Sequence, residues 1–241
     1  MMIPFVFSTG ETNVKIISIQ KNQDPDLLDT HWNMVGDLSK VTSGSKVLIL
    51  VHGVNNEPAE ALAAYTVIDQ KLGDQYDHVI GILWPGGDRA YEYFSAKSRA
   101  NSVGVELKKL IAMIDTTDID IIAHSMGNRV VLKALKGLNS KIRHFFSMAA
   151  VSDNESLEES EEFNSCFNSI SSAVAVFHSS KDRVLKLAYR IAEFDRALGL
   201  TGPEDNALVK TESKLWVCNC KHIVKSHGDY KYNETFARKV K

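Results

Sequence analysis

The stretch Ile119-Asp120-Ile121-Ile122-Ala123-His124-Ser125-Met126-Gly127-Asn128-Arg129 reads as an apolar strand that turns within a few residues into a helix and presents a serine at the bend. Strand and helix backbones pass close together at such a turn. It therefore needs small residues two places either side of the serine, and Ala123 and Gly127 supply them. Val130, Val131, Leu132, Ala134 and Leu135 then continue as a helix with one apolar face. The pattern is that of a nucleophile elbow, with alanine at the first position where glycine is usual. It predicts that the Ser125 hydroxyl stands at the carboxyl end of a parallel strand, above the N-terminus of the next helix. Backbone N–H groups and the helix dipole favour developing negative charge there. A serine that merely caps the helix is the plainer alternative.

Outward from the elbow, short β-rich apolar runs alternate with longer helical stretches. Lys46 to Val51, His78 to Leu83, Ile119 to Ala123, His144 to Ala149, Ala173 to Phe177 and Leu215 to Cys220 read as strands. Helices are expected over Glu57 to Leu72, with Pro58 in its first turn and Gly73 at its end, over about Asp88 to Ile114, and over Ser125 to Leu138. Such alternation predicts βαβ units: an α/β fold with a mostly parallel central sheet and helices on both faces. Residues 1 to 20 read as an antiparallel hairpin entering the sheet, turning at Gly10 to Asn13. The chain is expected to form a single domain over residues 1–241. Residues 151–172, acidic and serine-rich, form a candidate short lid or insertion within it, with a solvated loop and short helix as the simpler reading.

Composition narrows the partners. A chain of 241 residues with 44% hydrophobic and 24% charged residues is an ordinary globule long enough for one well-buried core. A formal net charge of -2 gives no general attraction to nucleic acid or anionic membrane. The first ten residues lack a basic leader and read as a strand, no segment reaches transmembrane length, and three cysteines cannot all pair, so a reduced cytoplasmic protein is expected. No metal site is expected: Cys218, Cys220 and His222 read as plain strand and loop residues.

A serine hydroxyl is a weak nucleophile at neutral pH, so it needs a base in contact and a third group to hold that base's tautomer. In open parallel sheets, such groups gather just past the carboxyl ends of strands. Asp182 follows one strand through His178-Ser179-Ser180-Lys181, and His227 follows the last strand in Lys225-Ser226-His227-Gly228-Asp229-Tyr230. Order alone leaves Asp153 as an alternative acid and His222 as an alternative base. Donors for an oxyanion are expected from the backbone N–H groups of Met126, directly after the serine, and of Val54 in the loop Val51-His52-Gly53-Val54-Asn55-Asn56. His52 is expected to tether that loop and His124 to be structural. Trp84, Tyr91 and Phe94 follow another strand's carboxyl end and are candidates to line a substrate pocket. Lys181, Arg183, Lys186 and Arg190, at near-helical spacing beside Asp182, read as a solvated helix face.

Taken together, Val47-Leu48-Ile49-Leu50-Val51-His52-Gly53, Trp84-Pro85, the elbow and Ser180-Lys181-Asp182-Arg183-Val184-Leu185 make the chain similar to the α/β-hydrolase superfamily. More narrowly, they resemble the DUF900-type bacterial hydrolases, over roughly residues 45 to 230. The resemblance implies the α/β-hydrolase fold and a triad of Ser125, Asp182 and His227. With it, the residues point to a serine hydrolase of the carboxylesterase or lipase kind, acting on a small-molecule ester through an acyl-enzyme and needing no cofactor. Thioester or amide cleavage would use the same groups. A binding or scaffold protein that keeps the fold without turnover is the alternative of a different class.

Overall fold

The computed structural model describes residues 14–21, 32–54, 57–87, 93–139 and 141–232. Eight strands form one sheet: β1 (Val14–Lys21), β2 (Trp32–Val35), β3 (Val47–Val51), β4 (His78–Leu83), β5 (Ile119–His124), β6 (Ile142–Met148), β7 (Ile170–His178) and β8 (Leu215–Asn219). Their order across the sheet is β2-β1-β4-β3-β5-β6-β7-β8. Every neighbouring pair is parallel except β1 with β2. β3 and β5, the central strands, are apolar almost throughout and buried along their whole length, as a sheet covered on both faces requires.

The antiparallel pair lies at the N-terminal edge, where Ser18 to Lys21 face Val35 to Trp32. The partner of β1 is therefore residues 32–35, and the turn expected at Gly10 to Asn13 lies outside the described residues. Strand limits shift by a few residues, with β6 beginning at Ile142 and β7 at Ile170.

Three helices occupy the expected gaps: α1 (Pro58–Leu72), α2 (Tyr93–Met113) and α3 (Gly127–Leu135). α1 starts where the Glu57 N–H donates to the Glu60 carboxylate at 3.3 Å, and past Leu72 it tightens into a 3-10 turn over Gly73–Gln75. Leaving β3, the chain moves to β4 on one side; leaving β4, it crosses to β5 on the other. Right-handed crossovers in opposite directions place α1 on one face and α2 with α3 on the other. At Gly104, α2 crosses α3 so closely that a Cβ there would lie 2.6 Å from Lys133 Cβ. The reversal also puts the switch point, where open α/β sheets hold their ligands, between the carboxyl ends of β3 and β5.

The acidic segment after β6 is packed against the body of the fold. Leu157, Phe163, Cys166 and Phe167 enter the core, and the Glu162 carboxylate pairs with the buried Arg129 guanidinium at 2.9 Å. Arg129 also lies over the Phe163 ring at 5.2 Å.

Candidate active site

Ser125 sits at the end of β5 with φ +57°, a left-handed conformation that strains a residue with a side chain by about 1–3 kcal/mol. Its surroundings hold it there. The Ser125 N–H donates to the Met148 carbonyl at 3.0 Å, and the Ser125 carbonyl accepts the Asn128 and Val151 N–H groups at 3.1 and 3.3 Å. The Asn128 side chain, fully buried, donates to the carbonyls of both Ser125 and Met148 at 2.9 Å. Two glycines make the close approach feasible. A Cβ on Gly127 would collide with the carbonyls of Val51 and His52, and one on Gly53 would lie 2.5 Å from Ser125 Cβ. Ala123 is fully buried at the small position before the bend.

The Ser125 hydroxyl oxygen lies 2.9 Å from His227 Nε2, and His227 Nδ1 lies 2.7 Å from Asp182 Oδ2. A carboxylate only accepts, so Nδ1 carries the proton and Nε2 presents its lone pair to the hydroxyl. Asp182 is wholly buried, and its other oxygen takes the Leu185 N–H at 3.1 Å. The loops that carry acid and base are tied together by the Ser179 hydroxyl, which donates to the Val224 carbonyl at 2.8 Å. Asp229 shapes the base loop by accepting the N–H groups of Lys225 and Ser226 at 2.8 and 2.9 Å together with the Ser226 hydroxyl, which holds its carboxyl below the usual range. Of the residues that sequence order left open, Asp182 and His227 are the ones brought to Ser125. Asp153 is engaged by the Tyr189 hydroxyl at 2.5 Å, and His222 is exposed to solvent.

The profile of the family described as "Alpha/beta hydrolase of unknown function (DUF900)" matches residues 30–234. The chain belongs to this DUF900 family of α/β hydrolases. No curated protein matches its sequence significantly. Among solved structures it is similar to the esterase PE8, with 11% identity, a TM-score of 0.53 and coverage of 83% of this chain and 91% of that one. It is also similar to dipeptidyl peptidase 4 of Porphyromonas gingivalis, with 13% identity and a TM-score of 0.49, over 88% of this chain and 32% of that one. A further likeness is to FphF, a fluorophosphonate-binding serine hydrolase of Staphylococcus aureus, with 13% identity and a TM-score of 0.45, over 85% of each chain. Identities this low speak to the fold alone.

In this DUF900 chain, the loop after β3 is built around His52. The Trp84 N–H donates to His52 Nε2 at 3.2 Å, so the ring proton is on Nδ1, which donates to the Gly53 carbonyl at 2.7 Å. The Trp84 indole N–H donates to the His52 carbonyl at 2.8 Å, and the two rings stack with centroids 5.7 Å apart. The His52 N–H in turn donates to the Tyr65 hydroxyl at 2.9 Å, which donates to the Ile82 carbonyl at 2.7 Å. Burial pulls the His52 pKa down to about 4 and keeps the ring neutral. The main chain at Gly53 and Val54 is thereby held beside the serine. Among the described residues, neither the Val54 nor the Met126 N–H donates to an acceptor.

Trp84 corrects the sequence reading. Only 5% exposed, it supports the His52 loop from behind and offers no face to a substrate. Phe94, at the start of α2, is 65% exposed beside Tyr93, with ring centroids 5.4 Å apart; Tyr91 lies outside the described residues. His124 has a more definite task than its sequence position suggested. Its Nε2–H donates to the His227 carbonyl at 2.7 Å, joining the strand that carries the serine to the loop that carries the base. Burial, with His227 alongside, keeps its pKa well below the ordinary value. Asn128 and Ser179 were missed in the sequence. Their signal is weak, a polar residue inside an apolar helical run and one of two adjacent serines.

Proposed function

We propose that this DUF900 chain is a serine hydrolase of the carboxylesterase kind. The observation that carries the reading is the unbroken line from the Ser125 hydroxyl through His227 to the buried Asp182, at 2.9 and 2.7 Å. Ser125 Oγ attacks the carbonyl carbon of a small-molecule ester while His227 Nε2 takes the hydroxyl proton. The resulting oxyanion is held by the N–H groups of Val54 and Met126. As the tetrahedral adduct collapses, the C–O bond to the alcohol breaks, and His227 returns the proton to the leaving oxygen. Water then attacks the acyl-Ser125 bond with the same base, releasing the acid and the free serine. Asp182 orients the imidazole and stabilises the imidazolium. The groups doing chemistry are all side chains and backbone amides, so the reaction needs no cofactor. We read the chain as one domain working in the cytoplasm.

The test is intact-mass analysis after treatment with a fluorophosphonate. A single adduct is expected on the native chain, with none on Ser125→Ala or His227→Ala. A folded native chain that takes up no adduct overturns the proposal and favours a binding protein that retains the hydrolase fold. Turnover of a thioester or amide in preference to esters would move the reaction class while leaving the triad in place.

A further inference from the structure

The helix that follows Asp182 has two exposed characters and one buried one. It begins with a π-helical turn, Leu185–Tyr189, and continues as α4 (Arg190–Glu193). Leu185 and Tyr189 are directed into the protein. The outer side carries Val184, Leu187, Ile191 and, just past the helix, Phe194, which are 50%, 68%, 67% and 92% exposed. They recur at intervals of three and four residues and so share one face. Phe94, exposed at the start of α2, lies on a helix that packs against this segment. Its neighbour Tyr93 meets Tyr189 edge to face at 6.2 Å, and Lys97, a turn along α2, pairs with Glu193 at 2.7 Å.

Soluble proteins scatter such residues singly, and a contiguous exposed set marks an interaction surface. Its flank identifies the partner. Lys181, Arg183, Lys186 and Arg190 are exposed along the same segment, and none has an acidic partner among the described residues. Apolar and cationic faces side by side on one surface helix are the signature of a segment lying in a lipid headgroup layer. Glu193 is held by Lys97, and past the helix Asp195 lies beside the acidic groups Glu155, Glu158, Glu161 and Glu204, so the basic residues sit toward the Asp182 end of the segment and the acids beyond its other end.

We propose that the ridge formed by Phe94, Val184, Leu187, Ile191 and Phe194, with its basic flank, docks on an anionic phospholipid surface. The Arg183 end, one residue from the buried Asp182, then faces the headgroups. The net charge of -2 does not oppose this, because the attraction is local and decays over a Debye length. The contact is a surface one: no helix among the described residues is long and apolar enough to cross a membrane.

Docking stands apart from catalysis and is tested without it, using the full chain and flotation with vesicles of phosphatidylcholine alone or with one third phosphatidylglycerol. The native chain and Ser125→Ala are expected to float equally with the anionic vesicles, to remain behind with neutral ones, and to be released by high salt. Lys186→Ala/Arg190→Ala should weaken anionic binding about 30-fold, at roughly fivefold per charge. Leu187→Ser/Phe194→Ser should abolish it, with an unchanged circular dichroism spectrum and unchanged fluorophosphonate labelling. A folded native chain that ignores anionic vesicles overturns the proposal, as does binding that survives both double variants. Sedimentation that reveals a dimer dissolved by Leu187→Ser/Phe194→Ser would overturn it in favour of a second copy of this chain as the occupant.

Discussion

Replacing Gly53 by alanine tests the geometry of the site with a single carbon atom. The new Cβ would lie 2.5 Å from Ser125 Cβ, 3.0 Å from Ser125 Oγ and 3.1 Å from the His124 carbonyl. Carbon atoms sit comfortably at about 3.5–4.0 Å, so the loop after β3 and the elbow after β5 must separate by about 1 Å. Neither yields freely: His52 is fixed to Trp84 and Tyr65, and the elbow is pinned by Asn128 and Met148. The separation would carry the Val54 N–H away from the serine, and in the proposed mechanism these two groups act on one carbonyl. A misplacement of about 1 Å costs on the order of 100-fold in rate, or about 2.7 kcal/mol of activation free energy. Overpacking should also lower stability by about 1–3 kcal/mol. The assay is the second-order rate of fluorophosphonate labelling beside hydrolysis of a short-chain nitrophenyl ester, with thermal unfolding as the control. Both rates should fall by about two orders of magnitude while a cooperative transition persists. A Gly53→Ala protein that labels and hydrolyses at the native rate would refute the claim that this loop and Ser125 form one reacting centre.

Two further outcomes follow from the polar groups that hold the elbow and the loop. Asn128→Ala removes one buried donor from each of the Ser125 and Met148 carbonyls, which keep only their backbone donors, and should lower stability by about 1–3 kcal/mol in urea unfolding. It should slow labelling as well, because the strained φ of Ser125 loses its support. His52 is neutral in the fold, with its pKa down at about 4 against an ordinary 6.5. Its contribution is therefore complete above pH 6.5 and is lost as pH falls through about 4, a window corresponding to about 3 kcal/mol. His124 acts in the same direction. Urea midpoints measured across that range should drop steeply for the native chain and less for His52→Gln, whose amide can replace both ring contacts; equal slopes would argue against a buried neutral His52.

The elbow was legible because everything it needs is local: an apolar strand, small residues two places either side of Ser125, and a helix directly after. The parallel order was legible from the alternation of strand and helix. The choice between Asp153 and Asp182 was not, since both follow strands at the same edge, and the difference lies in packing: the His227 ring meets Asp182, whereas the Tyr189 hydroxyl engages Asp153. β2 was not legible either. Its four residues include a polar Asn33, and the stronger turn signal at Gly10 drew the expected hairpin earlier. Trp84 shows a more general limit. An aromatic residue past a strand end can face a pocket or the interior, and here the decision rests with two hydrogen bonds to His52, a residue 32 positions away. The helix after Asp182 shows another, for its apolar residues would suit a core-facing stripe. The π-helical turn instead lets Leu185 and Tyr189 take the inner side and leaves Val184, Leu187 and Ile191 outside.

Three histidines gather around this site, and what each ring proton meets decides what each can do. The His52 Nδ1–H goes to the Gly53 carbonyl, and its other nitrogen receives the Trp84 N–H, so both are spent on structure. His124 donates Nε2–H to the His227 carbonyl and keeps Nδ1 buried without a hydrogen-bond partner among the described residues. In both rings burial disfavours the cation. His227 differs on each count: it is partly open to solvent, its Nδ1–H meets a carboxylate, and its Nε2 lone pair faces a hydroxyl. In the proposed mechanism the ring that gains and returns a proton must be held by its other N–H, and of the three only His227 directs that N–H at a carboxylate, Asp182. Exchanging that carboxylate for the isosteric amide in Asp182→Asn should therefore remove labelling at Ser125 while leaving the His52 and His124 contacts in place. The loss would come from the wrong tautomer at His227, with its base lone pair turned away from the serine.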